Sequence, residues 1–82
     1  MDIQKEIIKH FSQKDLPSFP SQRELLKYDY IKSGLLDSVQ VIDLIGFLED
    51  TFTIRLTDDD LQSERFRTIG GVIEIVKKLK NQ

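Results

Sequence analysis

Eighty-two residues suffice for one domain with a single small core, and the lack of cysteine excludes disulfides, thiolate nucleophiles and cysteine-ligated metals. The formal charge of −2 and pI of about 5.3 argue against general nucleic-acid binding, which needs a clustered basic surface. That small net charge hides a division: residues 37–64 hold eight acids and one base, net −7, while the rest hold six acids and eleven bases, net +5.

Charges in Met1-Asp2-Ile3-Gln4-Lys5-Glu6 stand where a signal peptide needs an apolar run, and no apolar stretch reaches membrane-spanning length. The expectation is a cytoplasmic protein without membrane insertion. Ile3, Ile7, Ile8 and Phe11 recur at helical spacing and predict an amphipathic helix over about 2–14. Pro17 and Pro20 end it, since neither can continue a helix. A long connection to about residue 37 follows. Its Leu25, Leu26, Tyr28, Tyr30 and Ile31 imply that it packs back on the core, with room for a helical turn near 21–27.

The second main helix is expected over about 38–52, its core stripe being Val41, Leu44, Ile45, Leu48 and Phe52. The opposite face carries Val39, Asp43, Gly46 and Asp50, flanked by Ile42 and Glu49 on one side and Phe47 on the other. Carboxylates mixed with small and apolar side chains suit a docking surface. Phe47 either covers the loop or joins that surface. Residues 53–56 alternate like a strand but have no second strand to pair with, and are expected as extended loop with Ile54 or Leu56 turned inward. Thr57 followed by Asp58, Asp59 and Asp60 marks the start of a short third helix. Thr68 caps a last helix whose buried side is Ile69, Val72, Ile73, Val76 and Leu79. The expected fold is an all-α four-helix bundle of three main helices and one short one, forming a single domain over 1–82.

Asp37-Ser38 stands at the start of the second helix. Either residue makes a good N-cap, and Asp37 with Gln40 has the form of a capping box. Gly34 permits a sharp turn just before, Leu35-Leu36 anchors the approach, and the acidic amphipathic helix follows directly. His10, the sole histidine, reads as a partly covered surface residue, and one histidine cannot make a zinc site. The Asp58–Asp60 run lacks calcium-loop spacing.

Taken together these residues resemble the acyl carrier protein family, which includes peptidyl and aminoacyl carriers. Its Asp-Ser-Leu attachment motif corresponds to Asp37-Ser38-Val39. The likeness extends to Asp43, Leu44, Leu48, Glu49, Phe52, Asp58–Asp60 and Phe66-Arg67-Thr68-Ile69. It implies that Ser38 is esterified by 4′-phosphopantetheine, delivered from coenzyme A by a phosphopantetheinyl transferase. The arm's thiol would then carry acyl or aminoacyl groups as thioesters. Asp37 would support the helix start and transferase recognition. Val39, Ile42, Asp43, Gly46, Glu49 and Asp50 would meet loading and transfer enzymes through their basic docking patches. Val39 departs from the usual leucine or methionine. The approach Ser33-Gly34-Leu35-Leu36 looks more like stand-alone carriers, such as D-alanyl carriers or those of peptide and polyketide pathways, than fatty-acid carriers.

Two functions remain open on sequence alone. The first is a monomeric carrier that is itself no enzyme. The second is an unmodified helical adaptor using the same acidic helix to hold a basic partner. Only the carrier requires a hydroxyl at residue 38.

Overall fold

The computed structural model describes residues 2–81. It contains α1 (Ile3–Ser12), α2 (Gln22–Lys27), α3 (Ser38–Phe52), α4 (Asp58–Gln62), a 3₁₀ turn (Glu64–Arg67) and α5 (Ile69–Lys80). The described residues form an all-α bundle, with no strand beyond one isolated antiparallel bridge between Asp29 and Thr68. The expected helices are all present. The helical turn in the long connection is α2, and the third helix ends before Glu64, where the chain tightens into the 3₁₀ turn.

Every α-helix starts on a side chain that accepts from its own first turn. Asp2 accepts from the Lys5 N–H, Ser21 from Glu24, Asp37 from Gln40, Thr57 from Asp60 and Thr68 from Gly71. Each such cap contributes about 1 kcal/mol by satisfying a backbone donor that the helix leaves free.

α5 is the central element, packed against α1, α2, α3 and the 3₁₀ turn. Its burial therefore exceeds one stripe. Ile75 is buried beside Ile69, Val72, Ile73 and Val76, while Leu79, expected inside, is only half-buried. Along α3 the core takes Leu44, Leu48 and Phe52, with Val41 and Ile45 half-buried at its margin. Each fully buried aliphatic side chain contributes about 1.5–3 kcal/mol. Gly71 has no alternative residue type, because a Cβ there would lie 1.8 Å from the Arg65 carbonyl oxygen. The last helix can thus pack tightly on the 3₁₀ turn.

The long connection is tied down by backbone pairing as well as by side chains. The Tyr30 N–H donates to the Arg67 carbonyl at 3.1 Å, and the Ile69 N–H donates to the Tyr28 carbonyl at 3.3 Å. Tyr30 is fully buried, its ring against Phe11 and Phe66, and its hydroxyl donates to the Phe66 carbonyl. Burial, reinforced by nearby Asp29, pushes that phenol well above its ordinary pKa, so it remains a donor. Tyr30 and Leu36 fulfil the expectation of a packed connection. Ile31 does not, being exposed within the turn over 30–33.

Extended residues 53–56 turn Leu56 fully inward and leave Ile54 half-buried. Phe47 is half-buried and turns towards α1. Its ring stacks on His10 of α1, with centroids 4.1 Å apart and planes at 17°, and meets Phe52 edge-on. A helical wheel gives the direction of a side chain but not the neighbour it finds there.

Candidate functional site

The approach to Ser38 is built from local hydrogen bonds anchored to the core. One Asp29 carboxylate oxygen accepts from the Ile31 N–H at 3.0 Å and the Lys32 N–H at 2.7 Å, closing a tight turn after the isolated bridge. The chain reverses at Gly34, whose φ of +81° lies in the left-handed region that disfavours side chains. Space is not the constraint, since a Cβ at Gly34 would meet nothing within 4 Å. Leu36 then buries its side chain, and its N–H donates to the Tyr30 carbonyl at 3.2 Å. The buried Tyr30 and Leu36 thereby fix where α3 begins.

Asp37 closes the capping box foreseen from its spacing to Gln40. Its carboxylate accepts from the Gln40 N–H at 2.9 Å, and the Gln40 side-chain oxygen accepts from the Asp37 N–H at 3.0 Å. The first helical bond runs from the Val41 N–H to the Asp37 carbonyl at 2.9 Å. Four backbone donors at a helix start have no partner within the helix. Here the box takes those of Asp37 and Gln40. The N–H groups of Ser38 and Val39 are left with no protein partner among the described residues. Ser38 is the first helical residue and is exposed, so its hydroxyl lies beside two free N–H groups and the positive end of the α3 dipole.

Around this hydroxyl the side chains divide in a way that only the structure reveals. Val39 and Ile42 are 69% and 67% exposed, very high for large apolar side chains one helical turn apart. Asp43 and Asp50 are exposed too. At 1.5 Å rise per residue they stand about 7.5 and 18 Å along the axis from Ser38. Gly46, between them, is half-buried, and a Cβ added to it would meet nothing within 4 Å. No internal packing therefore calls for glycine there.

Glu49 differs from its neighbours. It is half-buried, and one carboxylate oxygen accepts from the Leu56 N–H at 2.9 Å. The helix ends on Thr53, in left-handed conformation at φ 54°, and the Ile54 N–H returns to the Glu49 carbonyl. Glu49 thus fastens the segment after α3 to the helix, and its carboxylate is already committed within the fold. Asp60 is likewise structural: it is buried, forms a reciprocal cap with Thr57, and stands 3.9 Å from the Lys78 ammonium.

His10 has the partly covered position its place on α1 suggested. Its Nε2 is buried without a hydrogen-bond partner among the described residues, and burial, then nearby Lys14, lowers its pKa against a smaller opposing effect of Asp43. The described residues contain no cluster of three or more metal-ligating side chains and no helix long and apolar enough to cross a membrane.

Comparison with known proteins gives a consistent set of relatives. The chain is 27% identical to the D-alanyl carrier protein of Lactobacillus delbrueckii subsp. bulgaricus over 82 residues, covering 100% of this chain and 99% of the relative. It is also 27% identical to the D-alanyl carrier protein of Streptococcus uberis over 81 residues, 99% of each chain. Over 45 residues it is 38% identical to the acyl carrier protein of Lactobacillus johnsonii, 55% of this chain and 54% of that one. No protein-family model matches the chain, and no solved structure does.

Proposed function

This chain belongs to the carrier-protein family that includes the D-alanyl and acyl carrier proteins, and from that premise we propose that Ser38 is its attachment point for 4′-phosphopantetheine. The observation carrying this reading is the start of α3, where an exposed hydroxyl stands beside the two N–H groups that the capping box leaves free. A phosphodiester on that oxygen is an anion that those donors and the helix dipole stabilise. The residues present therefore fit the group. When bound, the arm supplies the thiol that this cysteine-free chain lacks.

The chain's own residues hold and present that attachment point. Tyr30 and Leu36 fix the approach, Gly34 makes the reversal, and Asp37 and Gln40 close the helix start without occupying the Ser38 and Val39 donors. Val39 and Ile42 offer apolar contact, while Asp43 and Asp50 offer charge to partners with basic docking patches, the modifying transferase among them. Exposed complementary charge speeds encounter and leaves dissociation fast, as a protein that visits several enzymes in turn requires. Gly46 completes this face as its low point. Glu49, expected on it, contributes by holding the end of α3.

Among cargoes, a small aminoacyl group such as D-alanine is the reading we favour over a long acyl chain. Full-length likeness to D-alanyl carriers supports it. So does the space available: the core beneath α3 is filled by Leu36, Leu44, Leu48 and Phe52. Two surface cavities, of about 740 and 880 Å³, both take their lining from residues outside 28–64. We assign the protein to the cytoplasm as a carrier rather than an enzyme.

Charge reversal tests the docking face. Asp43→Lys or Asp50→Lys should slow modification by a broad-specificity phosphopantetheinyl transferase, with the effect shrinking as salt rises. Asp15→Lys, an exposed reversal in the loop after α1, should change the rate little. Equal slowing by all three would show that the transferase reads net charge and not this face.

A further inference from the structure

The two surface cavities adjoin, sharing Gln4, Gln22 and Lys77. Together they make a groove between α1, α2 and α5 that takes no side chain from α3 or α4. Its floor includes Ile8, Leu25, Leu26 and Ile73, all buried or half-buried. Its rim holds Lys5, Lys9, Arg23, Lys27, Arg65 and Lys77, six of the chain's twelve bases, and all six are exposed. Only Asp2 and Glu74 oppose them, and Glu74 stands 3.8 Å from Arg65. In a chain of net charge −2 this groove is strongly positive, opposite in sign to α3.

We infer that the groove is a second docking site, and that its occupant is an acidic amphipathic segment of a partner protein. Three features select this occupant. The bases are spread along an exposed rim contributed by four segments and none is buried, so they form no enclosed pocket for a small anion. The apolar floor matches a segment with an apolar stripe, which a sugar–phosphate backbone lacks. The site is concave between three helices, a shape that receives a helix or strand better than a flat lipid surface does. Because none of its lining lies on α3, the groove can be filled while Ser38 stays accessible. A partner could then retain the protein by one face while enzymes act at the other. This raises effective concentration without any new contact at Ser38.

The probe is a fluorescein-labelled helical peptide with leucine at three- and four-residue intervals and glutamate elsewhere, titrated with the full chain and read by fluorescence anisotropy. We expect saturable binding that weakens with salt. The double variant Arg23→Glu/Lys77→Glu should bind at least tenfold more weakly, with its helical circular dichroism unchanged, since both side chains are exposed. Ser38→Ala should bind as the parent does, and Asp43→Lys/Asp50→Lys should bind no more weakly than the parent, which separates this site from the attachment reading. Equal binding by the Arg23/Lys77 variant, or of a peptide with lysine in place of glutamate, would overturn the proposal. Two further outcomes would overturn the choice of occupant. One is binding to vesicles of equal parts phosphatidylcholine and phosphatidylglycerol in place of the peptide. The other is self-association in sedimentation that is lost in both charge-reversed variants, which would make the occupant a second copy.

Discussion

Gly46 separates what the fold needs from what partners need. A glycine inside a helix is less favourable than alanine by about 0.8–1.0 kcal/mol, because more backbone freedom is lost and less backbone is shielded. An alanine Cβ at this position would meet nothing within 4 Å, so no clash offsets the gain. Gly46→Ala should therefore stabilise the protein by about 0.5–1 kcal/mol. In a domain of this size about 1 kcal/mol moves the midpoint by roughly 4–8 °C, so the variant should melt about 2–8 °C higher. Thermal unfolding followed at 222 nm reads this directly. An unchanged or lower midpoint would refute the reasoning, since the methyl would then have met resistance inside the fold. The same variant tested with the transferase gives a functional reading. More stable protein modified more slowly would mean that a partner's approach uses the space above Gly46. Unchanged modification would leave the glycine without a docking role.

Glu49→Ala removes the acceptor of a part-buried N–H at Leu56, and should cost about 1–3 kcal/mol in urea unfolding; a loss below the error of the measurement would mean that water replaces the carboxylate. Stability should also carry a histidine-dependent slope. His10 has its pKa lowered by burial and by Lys14, so the unfolded chain takes up the proton more readily than the folded one. The stabilisation is complete above the unfolded value of about 6.5 and declines as pH falls from there towards the folded pKa. His10→Phe should remove that part of the slope between neutral and mildly acidic pH, and an unaltered profile would show that the protonated ring is accommodated against Phe47.

The parts of the fold legible in the sequence are those governed by neighbours along the chain. Asp37 and Gln40 are three residues apart, so their reciprocal cap follows from spacing, and the core stripe through Leu44, Leu48 and Phe52 follows from helical period. The positive φ at Gly34 follows from residue type just before a helix. What was not legible depends on residues distant in sequence. Nothing in the 38–52 pattern indicates that Glu49 would reach the Leu56 N–H, or that Phe47 would find His10. The basic groove was hidden for the same reason: Lys5, Arg23, Arg65 and Lys77 look like scattered surface charges until α1, α2 and α5 bring them to one rim. Ser38, Val39, Ile42, Asp43 and Asp50 could be grouped from the sequence because all lie on one helix, and all five are exposed there.

The assignment of Ser38 as the attachment point is tested most directly by intact-protein mass spectrometry after incubation with coenzyme A and a broad-specificity phosphopantetheinyl transferase, followed by peptide mapping. One phosphopantetheinyl group should appear per chain, on Ser38. Ser38→Ala, with unchanged helical circular dichroism, should gain none. Mapping of the group to Ser12, Ser33 or Ser63, or modification of the alanine variant, would contradict the assignment, and a parent chain that gained no mass would leave the acidic helix as the binding face of an unmodified adaptor.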